Sequence, residues 1–526
     1  MNKNTYSNKD NAIFIFFIIL FLLISYGWSL VTQWREDQSL NILLSLFYSI
    51  DQTPVGLLSS KGIYNPNGML LFGKIFSGVK NLTTISFILH LIQFISIGYL
   101  CRSIFHNDKK WKIAWIFLIF LLSLRATAGE FWNNWILISF NSLFIGSIFS
   151  YLRSPKLTYL PLWAFCIFIT PALYLAGLLN AVAYSIVILM AFIFKRPKIS
   201  KVDTTLGLTL TVLVISFLTY YIWVPFFTTV PISKFASVSN TPTLFKIGNF
   251  LLGILLLPKT IFWHIIHRGH KFTFHHAVQF IGFWAKQIEF LIDILMKGLT
   301  IYFTFKYFKN FKLLFYKHQK ILVLFVFNLS IILLSPLLGG PSFAKAERAE
   351  MLFQVLPSTL ILFYLMMEKS KPSQKLKSIT NRILLTIFLL SIISNVVTIK
   401  SSLDYVGPVS DADVPTKYKE EVIEEIISRS QNELHINFDV DGLWSWLPQM
   451  NKASIPGFPE PYRVGVFFDV LLKMRKISYE TFDTSCLQGA QSFYVIRYKE
   501  DSTYNCPNYK SEAISIGNYK ILEFKK

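Results

Sequence analysis

The sequence predicts a polytopic α-helical membrane protein, of about eleven transmembrane helices, with a small α+β domain at its C-terminus. Three observations predict it. The chain of 526 residues is 53% hydrophobic, and apolar runs long enough to cross a bilayer recur through its first three quarters. The basic residues between those runs gather in short loops that sort to one side. Beyond residue 400 the pattern changes to short β-like runs around one charged helical stretch.

In chain order, spans are expected at 12–31, 83–105, 113–128, 132–152, 159–175, 177–194, 204–226, 283–305, 320–338, 350–367 and 382–399. The first, AIFIFFIILFLLISYGWSL, has no small-residue cleavage site and is longer than a signal h-region, so it is expected to stay as an anchor. KKWK (109–112), RSPK (153–156), KRPKISK (195–201), KYFKNFKLLFYKHQK (306–320) and KSKPSQKLK (369–377) are the basic loops. All fall on the side of the N-terminus, and the positive-inside rule makes that side cytoplasmic. The segment FKIGNFLLGILLLPKTIFWHII (245–266) is apolar enough to span, but counting it would place the lysine-rich 306–320 loop outside. It is read instead as a re-entrant or interfacial helix within a long external loop.

The chain then divides into a transmembrane module, 1–400, and a soluble domain, 401–526, on the external side. External loops are expected at 32–82, 125–134 and 227–282. In the tail, HINFDV, SFYVIRY and YKILEF read as strands and TKYKEEVIEEIISRS as a helix. Cys101 and Cys166 fall in spans and read as packing residues, whereas Cys486 and Cys506 could pair if the tail faces an oxidising compartment. A composition heavy in Lys, Ile, Asn and Phe points to a bacterial inner-membrane protein, with a cytoplasmic N-terminus and a periplasmic C-terminal domain. The formal charge of +21 is accounted for by loop topology and anionic lipid, so nucleic acid is excluded as a partner.

Immediately after the first span the chain reads SLVTQWREDQSLN, with Glu36 and Asp37 adjacent. A carboxylate at the external end of a span can stay ionised at the water interface while facing a cavity between helices. A general base for a hydroxyl nucleophile needs this placement. The competing reading is a helix end in water. The stretch that follows, PVGLLSSKGIYNPNGMLLFGKIF (54–76), is punctuated by Gly and Pro and returns to the membrane.

An acidic pair, a short helix and a Pro-Asn-Gly turn before an apolar run resemble the first external loop of the GT-C superfamily. These are integral-membrane glycosyltransferases that use polyprenyl-phosphate-linked sugars. Glu130, in RATAGEFWNNW, matches a second acidic position of the superfamily, and Arg348, in FAKAERAEMLFQVLP, matches an Arg before a late proline-containing span. The pair is Glu-Asp rather than Asp-Glu, and the re-entry turn is Tyr-Asn-Pro-Asn-Gly rather than His-Pro-Pro, which leaves open which carboxylate is the base. The resemblance implies transfer of a sugar from a polyprenyl phosphate, undecaprenyl phosphate in bacteria, to a glycan hydroxyl such as one on lipopolysaccharide O-antigen. Glu36 or Asp37 would be the base in one inverting displacement. Arg348, with Lys345 and more weakly Arg125, would hold the donor phosphate. Size, span count and external tail are similar to phage-type O-antigen glucosyltransferases that convert serotype.

Other residue clusters were weighed against this reading. His264, His267, His270, His275 and His276 lie among basic residues with no acidic neighbour until Glu289, and read as an interfacial basic surface rather than a metal site. No metal or other cofactor is predicted, although two acidic loops could hold a divalent ion. Trp132, Trp135 and Trp263 fit aromatic belts, and Trp444 and Trp446 read as core of the tail. The competing functions are an O-antigen polymerase or ligase, kept in view by the His-rich loop, and a lipid or solute transporter. The lack of an internal repeat and the scarcity of charges within spans count against the transporter.

Overall fold

The computed structural model describes residues 8–32, 34, 36–49, 54–58, 64–106, 108–123, 133–173, 177–197, 200–230, 318–339, 354–404, 414–430, 434–439, 466–481, 486–498 and 506–526, with a few helical residues between 295 and 307. It is a helical membrane module with a sheet domain docked on one end. The helices are α1 (Asn8–Val31), α2 (Glu36–Phe47), α3 (Gly68–Gly73), α4 (Leu82–Phe105), α5 (Lys110–Ser123), α6 (Asn133–Arg153), α7 (Leu160–Leu173) and α8 (Leu178–Phe194). They continue as α9 (Lys201–Leu218), α10 (Val224–Thr229), α11 (Gln319–Gly339), α12 (Leu356–Lys369) and α13 (Gln374–Asp404).

Apolar runs decide these elements. Among the described residues, five helical stretches are long and apolar enough to cross a membrane: Asn11–Val31, Leu82–Phe105, Ile136–Arg153, Lys201–Thr229 and Gln374–Asp404. Shorter apolar helices pack among them. The expected spans find matching helices except that at 283–305, which lies almost wholly outside the described residues, as does 245–266. α13 begins eight residues before the expected 382, because the polar stretch from Gln374 carries no helix breaker and extends the helix beyond its apolar part.

Side-chain bonds tie the basic loops into one end of the bundle. Lys320 Nζ donates to Ile104 O at 2.5 Å, Lys110 Nζ to Glu368 Oε1 at 2.5 Å, and Lys306 Nζ to Lys371 O at 3.2 Å. Tyr151 donates to Lys195 O at 2.7 Å and Lys112 to Asn11 Oδ1 at 3.1 Å. The described parts of the 109–112, 195–201, 306–320 and 369–377 loops thus meet the bundle through these bonds.

The opposite end carries the tail. There α14 (Thr416–Arg429) and α15 (Val466–Met474) lie on a five-stranded sheet of order β4-β3-β5-β7-β6. The strands are β3 (Leu434–Asp439), β4 (Tyr479–Thr481), β5 (Ser492–Tyr498), β6 (Lys510–Ile516) and β7 (Tyr519–Lys525). β3 runs parallel to β4 and β5, and β7 antiparallel to β5 and β6. Cys486 and Cys506 form a disulfide beside β5, over a small cluster of Phe493, Val495 and Phe524. β1 (Val55–Leu58) and β2 (Tyr64–Pro66) make a two-stranded antiparallel pair in the first external loop.

Candidate functional site

Glu36 and Asp37 are the first two residues of α2, five and six residues past the end of α1. Their side chains, and all of Arg35, lie outside the described residues. So do Arg125 and Glu130, Lys345 and Arg348, the histidines of 264–276, and Trp263, Trp444 and Trp446. The backbone of Glu36 and Asp37 is described, and the residues just before it show what holds that segment.

The segment leading to the acidic pair is clamped from three sides. Thr32 Oγ1 donates back to Trp28 O at 2.8 Å, ending α1. Trp34 is wholly buried and its indole donates to Ser86 Oγ on α4 at 3.1 Å. The third side belongs to the soluble domain: Thr416 N and Oγ1 both donate to Thr32 O, and Lys419 Nζ donates to Trp34 O at 3.1 Å. Lys419 is itself fully buried. Its Nζ holds the backbone two residues before the carboxylate pair.

The neighbouring residue makes a second tie. Glu420 takes Thr83 N at 2.9 Å and Thr83 Oγ1 at 2.8 Å. These are bonds from the first turn of α4, whose amides have no partner inside the helix. Burial raises the Glu420 pKa, opposed by the bonds from Thr83 and by the Arg475 charge. α15 packs on α2, and Arg475 at its end donates to Lys80 O at 3.3 Å and pairs with Glu424 at 3.2 Å. The helix that bears the acidic pair is thus held between the membrane module and the domain.

The Tyr-Asn-Pro-Asn-Gly turn is built where the sequence placed a return to the membrane. Tyr64, Asn65 and Pro66 form β2, and Gly68 starts α3. A Cβ on Gly68 would lie 2.5 Å from the Ala172 carbonyl carbon, so only glycine lets this turn press on the end of α7. Asn67 is buried and donates to Tyr221 O at 3.2 Å. That carbonyl lies in a π-helical turn, Thr219–Trp223, which follows α9. Lys74 Nζ donates to Tyr48 O at 2.7 Å, joining the re-entry to the end of α2.

A buried polar cluster lies at the start of α12, downstream in sequence of Arg348. Gln354, six residues on from it, accepts from Asn180 Nδ2 at 2.8 Å through its side chain and from Asn141 Nδ2 at 3.1 Å through its carbonyl. Tyr184 donates to Asn141 Oδ1, and Ser358 donates to Asn328 Oδ1 at 2.5 Å. In apolar surroundings such groups are held by one another, and they fix the start of α12 against α6, α8 and α11. Sequence reasoning missed this cluster. Asn141, Asn180 and Gln354 are 39 and 174 residues apart and share no motif. Among the described residues, no group of three His, Cys, Asp or Glu is placed to hold a metal ion.

No family model and no curated protein matches the chain. Among solved structures, the crystal structure of ArnT from Cupriavidus metallidurans in the apo state is similar over 98% of this chain and 98% of that one, at 11% identity and a TM-score of 0.44. The likeness assigns no role to any residue here.

Proposed function

We propose that the chain is a GT-C-type glycosyltransferase that moves a sugar from a polyprenyl-phosphate carrier to a hydroxyl of a glycan on the far side of the membrane. The observation that supports this most is the convergence at the domain end of the bundle. The acidic pair opens α2, the re-entry helix α3 packs on α2, and the soluble domain closes on α2 and on the segment before it. A membrane-surface site shaped by loops and an external domain suits a lipid-linked donor and a polar acceptor.

In this reading Glu36 or Asp37 removes the proton from an acceptor hydroxyl as its oxygen attacks the anomeric carbon. The bond from that carbon to the phosphate oxygen breaks in the same step, and polyprenyl phosphate leaves with the electron pair. Arg348, with Lys345 and Arg125, offsets the charge growing on that phosphate, and Glu130 is the second acidic group of the site. The Cys486–Cys506 disulfide supports a periplasmic domain, since such bonds persist in oxidising compartments. The narrower reading is transfer of a hexose from undecaprenyl phosphate to lipopolysaccharide O-antigen.

The test is direct. Purified chain is incubated with a polyprenyl-phosphate hexose and isolated O-antigen lipopolysaccharide. Equal release of polyprenyl phosphate and gain of glycan-bound hexose is expected. Glycan chains joined end to end without consumption of the monophosphate donor would move the assignment to a polymerase or ligase.

A further inference from the structure

Three residues near the start of α14 share one face of that helix. Thr416, Lys419 and Glu420 are spaced i, i+3 and i+4. All three are buried, and each bonds to the membrane module. The bonds do different things. Glu420 holds Thr83, in the first turn of α4, and so fixes the domain on the bundle. Thr416 and Lys419 hold carbonyls of the linker between α1 and α2. Thr32 O takes the Thr416 amide at 3.3 Å and the Thr416 hydroxyl, and Trp34 O takes Lys419 Nζ at 3.1 Å.

That linker is short. α1 ends at Val31 and α2 begins at Glu36, so residues 32–35 set where the acidic pair stands. The bundle supplies one hold on it, the Trp34 indole bond to Ser86 Oγ at 3.1 Å. The domain supplies the holds on its carbonyls. It also grips the far end of α2, where Lys473 Nζ of α15 lies 6.0 Å from the centre of the Tyr48 ring. A buried lysine is a poor source of stability, because burying an ammonium costs more than burying an apolar side chain of equal volume. What its charge adds is a shorter and stronger bond than a neutral donor makes. Such a residue contributes placement rather than stability.

We infer that Lys419 is a positioning residue for the transfer reaction: through Trp34 O it sets the backbone that carries Glu36 and Asp37, so the soluble domain is part of the active site. The inference rests on the transferase reading. Glu420 keeps the domain docked, whereas Lys419, assisted by Thr416, places the base. Lys419 acts on proton removal only through the position of the carboxylate. Its loss leaves the binding energy of the donor in place and takes away alignment in the transition state. That is a loss in kcat without a matching change in KM.

Steady-state kinetics on the full chain in detergent test this, with a polyprenyl-phosphate hexose as donor and isolated O-antigen lipopolysaccharide as acceptor. Lys419→Met matches the side chain in length and removes its donor. It is expected to lower kcat about 100-fold, the effect of moving a reacting group by about 1 Å, with the donor KM within about twofold of wild type. Thr416→Val removes only the hydroxyl bond to Thr32 O and should lower kcat about fivefold, the size of one neutral hydrogen bond. Lys417→Gln, on the half-exposed side of the same turn where Lys417 pairs with Glu421 at 3.7 Å, should leave kcat unchanged. Hydrogen exchange is read alongside. The peptide from Ser29 to Asn41 should exchange faster in Lys419→Met, while that around Thr83 keeps its wild-type rate. Wild-type turnover that persists in both Lys419→Met and Thr416→Val would overturn the positioning role and leave the transferase reading standing. Loss of kcat with faster exchange around Thr83 would also overturn it, because the domain would have come away. A wild-type chain that transfers no hexose would remove the transferase reading, and this role with it.

Discussion

Glu420→Ala removes both acceptors by which the soluble domain holds the first turn of α4. The lost bonds are those from Thr83 N at 2.9 Å and Thr83 Oγ1 at 2.8 Å, at a carboxylate only 9% exposed. A hydrogen bond to a charged group contributes about 1.5–3 kcal/mol, and an orphaned buried donor costs about 1–3 kcal/mol. Part of this returns, because the variant no longer buries a charge. A net loss of about 2 kcal/mol of docking is expected, which is roughly a thirtyfold rise in opening of the interface. Glu420→Gln keeps an acceptor for Thr83 N, can donate to the Thr83 hydroxyl, and carries no charge, so it should stay within about 1 kcal/mol of wild type. Hydrogen exchange of the peptides around Thr83 and Thr416, in detergent at neutral pH, reads the difference. An alanine variant that exchanges like wild type would refute the role of these bonds. A glutamine variant as open as alanine would refute the claim that hydrogen bonding, rather than charge, does the holding.

The same residue sets a pH dependence. Because burial raises the Glu420 pKa in the docked state, protonation favours docking. The stability it contributes is complete below the unfolded value of about 4.3 and is lost as pH rises through the raised one. Exchange at the interface should therefore slow on acidification in wild type more than in Glu420→Gln, and equal responses would contradict this. Serine at both Cys486 and Cys506 opens a loop closed over a separation of 20 residues, and should destabilise the domain by about 3 kcal/mol, seen as earlier proteolysis of the tail. Gly68→Ala sets a Cβ 2.5 Å from the Ala172 carbonyl carbon, so the re-entry turn must shift off α7. A loss of about 1–3 kcal/mol is expected as a lower unfolding temperature, and unchanged stability would mean that the two backbones do not meet. Asn141→Leu strands the Tyr184 hydroxyl and the Gln354 carbonyl, and should cost about 1–2 kcal/mol in the same assay.

Much of the fold was legible because membrane segments advertise themselves. Each needs a run of apolar residues, and basic loops report on sides. Strands β3, β5 and β7 were also legible, since HINFDV, SFYVIRY and YKILEF are apolar and β-branched or aromatic. β6 was not: KSEAISI is an edge strand, largely exposed, so its residues are free to be polar. α15 was missed because VFFDVLLKM reads equally as a short strand or a short helix. α14 was legible as a helix, but what it packs against was not. In TKYKEEVIEEIISRS the charges look like a solvated face, yet Lys419 and Glu420 are buried with Val422, Ile423 and Ile426. They are buried against another part of the chain more than 300 residues away, which no local pattern encodes. The acidic pair and the Tyr-Asn-Pro-Asn-Gly turn stood out because their residue types are unusual at the end of a span. The cluster of Asn141, Asn180, Tyr184 and Gln354 did not, because single polar residues in apolar helices are common and only packing brings these together.

The central claim is that the carboxylates opening α2 carry out the chemistry. Glycan mass, compared between cells with the wild-type chain and cells with Glu36→Gln or Asp37→Asn at equal membrane levels, tests it most directly. A hexose-sized increment in wild type that one carboxamide abolishes is the predicted result, and the sensitive position names the base. Full modification by both variants, and by the double variant, would contradict it and leave the pair as the start of a helix.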